Sequence, residues 1–381
     1  MKEGVKMVGL ANRLINRPIL ATIHTEALSH NLNRVRELAP ESKTWSVIKA
    51  KAYGHTLEAA LQGLGSSDGF ALLDLEDAQW LRDNGWKGRI LLLEGLFHQD
   101  ELAIAQSLFC DLAVHCESQV QWLESFKGGL TKPLNIFLKM NSGMNRLGFT
   151  PTEYRTAFHR LHAAGYYMHH MTHFANADQV DGLPSVGGQV DCFNETIEGL
   201  QPAPSSLGNS AAILWHRNAL GDWVRPGIML YGISPTGVYA DIVRSDLQAV
   251  MQLRSEIIDI QNLKKGDHVG YGGRFQAPED MRVGVVACGY ADGYPRQAQD
   301  GTPLWVEGGG PDGESIVCPL AGQVSMDMLT IDLREAPNAK IGSIVELWGS
   351  EVPVDDVAQM SGTIGYELVC ALAPRVPVKI L

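Results

Sequence analysis

The chain has 381 residues, 45% of them apolar and 19% charged, which is more than one ordinary hydrophobic core needs and points to two domains in a globular protein. Its 43 acidic side chains outnumber 31 lysines and arginines, and the net charge of −12 argues against nucleic acid or an anionic membrane as a partner. No apolar run of about 18 residues occurs, so no membrane span is expected.

Residues 1–17 carry lysines, but Asn12 and Arg13 interrupt their apolar stretch and no A-x-A cleavage pattern follows. They read as a loose leader on a cytoplasmic protein. Cys110, Cys116, Cys192, Cys288, Cys318 and Cys370 form no C-x-x-C pair, so neither a zinc knuckle nor a redox motif is present, and free buried thiols are expected.

From residue 18 to 240, short apolar runs alternate with helical stretches. The runs TWSVIKA, GFALLDL, RILLLEG, CDLAVHC, LNIFLKM, YYMHHMTHF, SSLGNS and WVRPGIMLYG read as strands. Between them Leu28, Leu32, Val35 and Leu38 recur at helical spacing. Thr150, Pro151 and Glu153 form a capping box with proline at the first helical position, and Gly165 ends that helix. The pattern fits parallel β/α units, either a TIM (β/α)8 barrel or an open doubly wound sheet. From 241 to 381 the texture is mainly β: VMQLRSEIIDI, HVGYGG, RVGVVACGY, SIVCPLAG, MLTIDL and SIVELWG. Helical stretches return only at DDVAQM and YELVCALA.

The run VIKAKAYGH places Lys49 and Lys51 at a strand end, where barrels put active-site groups. Continued as a strand, it turns both side chains and Tyr53 to one face. A half-buried lysine with a lowered pKa suits Schiff-base chemistry; a pair of snorkelling surface lysines is the alternative. His169, His170 and His173 supply no metal site, because only His169 and His173 share a strand face and no third ligand lies nearby.

From about residue 18 onward the chain resembles the bacterial alanine racemases, closest to the catabolic type. The motifs VIKAKAYGH, LKMNSGMNRLGF, THFANAD, GNSAA, DWVRPGIMLYG, VGYGGR, GYADGYPR, GQVSMDM and GTIGYE occur in the family's order and span both predicted domains. The resemblance implies an N-terminal α/β barrel, a C-terminal β domain, pyridoxal 5′-phosphate (PLP) as cofactor, and a homodimer whose sites use both subunits. It implies that Lys49 binds the cofactor covalently. Lys51 and Thr56 stand where the family usually has Asn and Gly, and Lys51 is expected to tune Lys49 by adding a second ammonium on its face.

Racemisation removes a proton from one face of an amino acid and returns one on the other, so a second acid/base must oppose the lysine. The resemblance gives that role to Tyr271, reaching the partner subunit's lysine. It places His173 by the cofactor ring and Arg225 at the ring nitrogen, where a guanidinium only donates. That arrangement disfavours a decarboxylase, which needs a strong electron sink. Asn209, Ser210, Gly227 and Ile228 fall after the seventh and eighth strands, where barrels often bind phosphate. Tyr53 and Tyr366 are implied as phosphate or site-closing hydroxyls. Arg146, Met326 and Asp327 are implied around the substrate, and Asp178, Tyr290 and Arg296 in an entry corridor. Lys139, an ammonium inside an apolar strand, is implied as a carbamate beside Arg146, although Asn141 and Ser142 replace the commoner Asp and Thr. The activity implied is interconversion of L- and D-alanine. The alternatives are a broader serine racemase and a PLP-binding regulatory barrel, which would lack the β domain.

Overall fold

The computed structural model describes residues 17–126 and 134–381. The expected leader up to residue 16 lies outside the described residues.

Eight parallel strands close into a barrel: Lys43–Val47, Gly69–Leu72, Arg89–Leu92, Cys110–Val114, Asn135–Lys139, Tyr167–Met171, Ser205–Asn209 and Trp223–Arg225. These are the eight apolar runs of the sequence, and the open sheet is excluded because the last strand pairs with the first, Lys43 opposite Trp223. Such strands are buried on both faces, which is why they read as continuous apolar runs rather than alternating ones. Inside, Trp45 stacks on Trp223 with ring centres 4.5 Å apart, and Phe137 meets Trp45 edge-on at 5.7 Å. The guanidinium of Arg89 lies 4.9 Å from the Trp223 ring, a cation–π contact at the end of the barrel where its strand begins.

Helices cover the barrel. Thr25–Leu38 buries Leu28, Leu32 and Val35, as their spacing requires. Pro151–Ala163 begins with the expected capping box and is followed by Gly165 at φ +90°.

The second unit is built on an eight-stranded sheet. Its central strand, Met251–Leu263, pairs with Leu20–Ile23, Ile344–Trp348 and Met281–Val286. Leu20–Ile23 also pairs in parallel with Val378–Ile380, so the chain's first described strand lies in the sheet of the second unit. A separate ribbon, His268–Val269 with Phe275–Gln276, carries Tyr271 at its tip. One continuous core runs through both units, from Trp45 and Phe137 to Leu347 and Trp348. All six cysteines are free, with Cys110, Cys288 and Cys318 buried and Cys370 exposed. No helix among the described residues is long and apolar enough to cross a membrane.

Candidate active site

Strand Lys43–Val47 stops two residues before Lys49. Ala50, Lys51, Ala52 and Tyr53 then take φ values of 53°, 52°, 57° and 53°, a left-handed turn built without glycine. Gly54 follows at φ +79°, where a β-carbon would come 2.0 Å from the carbonyl oxygen of Val369. The turn corrects the expectation of a continuing strand: Lys49 and Lys51 do not share a face. Lys49 lines a cavity at the barrel mouth. The Lys51 side chain is 67% exposed and forms an ion pair with Asp77. Tuning of Lys49 therefore comes from elsewhere. Burial lowers its pKa, and the positive charge of Arg146 adds to this, against the opposing charge of Glu94.

The cavity, about 620 Å³, gathers Lys49, Tyr53, Lys139, Arg146, His173 and Asp178 with Asn209, Ser210, Arg225, Gly227, Ile228 and Tyr366. Arg225 is buried at the end of the last barrel strand. It donates to the Ser206 hydroxyl at 2.6 Å, the Thr172 carbonyl at 2.6 Å and the Leu207 carbonyl at 3.0 Å. Burial pushes its pKa down to about 10, so it stays charged at neutral pH. His173 Nδ1 lies 3.3 Å from the same guanidinium. A guanidinium cannot accept, so Nδ1 is the acceptor. Burial and the neighbouring cations hold that imidazole neutral, its pKa well below the ordinary value. Lys139 ends its strand inside the cavity, and burial, then Arg225 and Arg146, bring its pKa down to about 8.

In the same cavity, Asn209 caps helix Ser210–Trp215 by accepting from the Ala212 N–H at 3.0 Å. The Ser210 hydroxyl accepts from the N–H groups of Gly227 at 2.9 Å and Met229 at 3.4 Å. A β-carbon at Gly227 would meet the Tyr53 hydroxyl at 2.5 Å. The Tyr53 ring packs 4.8 Å from Tyr231 and 6.2 Å from Tyr366. Burial raises the pKa of both Tyr53 and Tyr366, so both remain neutral donors. One serine hydroxyl, two phenols and the residues Gly227 and Ile228 thus line one part of the cavity.

Other expected site residues lie apart from this cavity. Tyr271 is 73% exposed on its ribbon. Tyr290, Arg296, Met326 and Asp327 sit on the β unit and do not line the cavity. Asp327 and Asp292 are bridged by Arg17 and Arg375, in a closed ring of four charges. Of the histidines, His169 stacks on Phe137 at 4.3 Å and His170 bonds the Tyr154 hydroxyl at 2.7 Å, so both are committed to packing. Glu94 also lines the cavity, and Thr172 and Ser206 hold Arg225, three residues that the sequence motifs do not single out. Glu94 follows the apolar run RILLL, the same strand-end signal that marked Lys49.

Residues 23–235 match the N-terminal domain of alanine racemases and residues 250–380 their C-terminal domain. The chain is 52% identical over 365 residues to the alanine racemase of Paraburkholderia phytofirmans, covering 95% of this chain and 99% of that one. It is 50% identical over 369 residues to the catabolic alanine racemase of Klebsiella aerogenes, covering 96% and 100%. The solved alanine racemase of Acinetobacter baumannii is 39% identical and superposes with a TM-score of 0.89, over 96% of this chain and 100% of that one.

Proposed function

The chain belongs to the alanine racemase family, and from that premise we propose that it interconverts L- and D-alanine by moving the α-proton between two side chains. Lys49 serves one face and the partner subunit's Tyr271 the other. The observation that carries this reading is Lys49 itself: a half-buried amine with a lowered pKa, placed at the barrel mouth in one cavity with Tyr53, Ser210 and Gly227.

The family's cofactor is PLP, and the residues present fit it. Ser210, Tyr53 and the backbone at Gly227 and Ile228 would hold the phosphate, where a β-carbon at 227 would collide with Tyr53. Lys49 would hold the aldehyde carbon, and His173 and Arg225 would flank the ring. When bound, the cofactor supplies the electron-withdrawing system that acidifies the substrate Cα–H.

This chain's residues do the rest. The lowered pKa of Lys49 leaves more of its amine neutral and able to accept a proton. Arg225 donates only, so it would hold the cofactor's ring nitrogen unprotonated, which would favour simple return of the proton over reactions that need a stronger electron sink. An ordinary phenol is a poor base at neutral pH. Arg146, exposed at the rim of the cavity, is the cation that would favour the partner subunit's Tyr271 as phenolate and also bind the substrate carboxylate. Lys139, with its pKa near 8, has enough neutral amine to add CO₂: its nitrogen attacks the carbon, releases a proton and becomes a carbamate anion facing Arg146. The exposed Tyr271, Tyr290 and Met326 support a homodimer in which the β unit of one subunit closes the barrel mouth of the other. Six free thiols support a cytoplasmic location.

The test is the absorbance of the purified protein before and after borohydride, followed by peptide mapping. The expected result is a reduced cofactor fixed to Lys49. A label on Lys51 or Lys139, or none, contradicts the proposal.

A further inference from the structure

We infer that Lys51 is a positioning residue whose ion pair with Asp77 holds the left-handed turn that presents Lys49 to the cavity. The inference rests on Lys49 being the cofactor lysine.

The turn has an unusual backbone. Four consecutive residues with β-carbons, Ala50 to Tyr53, occupy the left-handed region. L-residues visit it singly and at a cost, with glycine and asparagine the usual exceptions. Thr56, at φ +71° and ψ +144°, is in a region still more particular to glycine. These include the two positions where the motif departs from the family's usual Asn and Gly. Residue type therefore does not hold this backbone, and other bonds must.

The bonds are present. Asp77 is buried in the first turn of helix Leu75–Asp83, and Lys51 is its one partner among the described residues. A buried carboxylate with a single partner keeps that partner close, because separation leaves an uncompensated charge. The Lys51 carbonyl accepts from the Thr56 N–H at 2.9 Å, so residue 51 ties the turn to both its exit and a neighbouring helix. The Thr56 hydroxyl accepts from the Ala59 N–H at 3.2 Å and caps helix Leu57–Gly63. On the opposite side Gly54 is pressed against Val369 of helix Gly365–Cys370. Lys49 and Tyr53, which face the cofactor cavity, stand at the two ends of the segment so clamped. Lys51 acts through this backbone and touches no reacting atom.

Four variants test the role, read by the dissociation constant of PLP and by kcat. Asp77→Asn is expected to weaken PLP binding about tenfold and lower kcat, because the turn then populates other conformations. Adding Lys51→Gly to Asp77→Asn is expected to restore both, since glycine adopts this backbone without help. A general structural role for Asp77 gives no such rescue. Unchanged binding in Asp77→Asn, or a double variant no better than Asp77→Asn alone, overturns the inference. If Asp77→Asn does not fold, Lys51→Ala and Lys51→Asn are compared: both remove the ammonium, but only asparagine favours the left-handed region. Tighter PLP binding by Lys51→Asn supports the role, and equal loss in both overturns it. Borohydride mapping of the unaltered protein separates the two readings. A label away from Lys49 sinks the functional proposal, whereas a label at Lys49 with an unresponsive Lys51–Asp77 pair sinks only the positioning role.

Discussion

Arg225 is a buried cation that donates to three neutral oxygens, those at Thr172, Ser206 and Leu207, and to His173 Nδ1. Only a fork of donors reaches all four acceptors, so lysine is not equivalent. Arg225→Lys should cost about 1–3 kcal/mol in denaturant unfolding, because buried carbonyls lose donors. It should also weaken PLP binding. Unaltered stability would show that these bonds are replaceable by water. Single residues were legible where chemistry and burial conflict: a lysine or arginine at the end of an apolar run is visible in sequence. Orientation is not legible in the same way: a strand period continued past Val47 puts Lys51 on the face of Lys49, whereas Ala-Lys-Ala-Tyr, with no glycine or asparagine to signal it, forms a left-handed turn. Ser206 and Thr172 carried no signal, since ordinary polar residues in strands acquire meaning only when Arg225 lies beside them.

The proposed anion cradle is a property of elements rather than of side chains. It forms where strands Ser205–Asn209 and Trp223–Arg225 end side by side, with Ser210 accepting from the Gly227 N–H. Gly227 is required there by proximity to Tyr53, not by its φ, which is −119°. Gly227→Ala is expected to displace the Tyr53 hydroxyl, lower PLP affinity about tenfold or more, and leave the barrel folded, since an added methyl in a packed site costs about 1–3 kcal/mol. PLP titration of the variant measures it; unchanged affinity would remove Gly227 from the cradle. All eight barrel strands could be read because two-sided burial makes each a compact apolar run. Leu20–Ile23, Pro303–Val306 and Val378–Ile380 could not, because short strands in a sheet are defined by partners distant in the chain.

At the scale of the whole molecule, three imidazoles are buried in the uncharged form, and a fourth, His173, is uncharged and half-buried beside Arg225. Burial brings His55, His169 and His170 down to about 4, and holds His173 well below its ordinary value. Between pH 6.5 and 4 the unfolded chain therefore binds more protons at these sites, and folded stability falls as pH falls through that window. Asp355, raised to about 6 by burial, pulls the other way, as do Asp111 and Asp356 in direction, but the histidines outnumber them. Denaturant midpoints at pH 7, 5.5 and 4.5 should decline in that order; a flat profile would contradict neutral burial. The sequence could not place the two halves of the site together. Lys49 lines a cavity in the barrel and Tyr271 stands exposed on the β unit, and the proposed site joins them across two copies.

That claim is tested most directly by subunit mixing. Lys49→Ala and Tyr271→Phe proteins, each inactive alone, are unfolded together and refolded as mixed dimers. If each site takes Lys49 from one chain and Tyr271 from the other, a mixed dimer contains one intact site, and random remixing returns about a quarter of the unaltered activity. If each site belongs to one chain, no mixed dimer has an intact site and the mixture stays inactive, which would contradict the account.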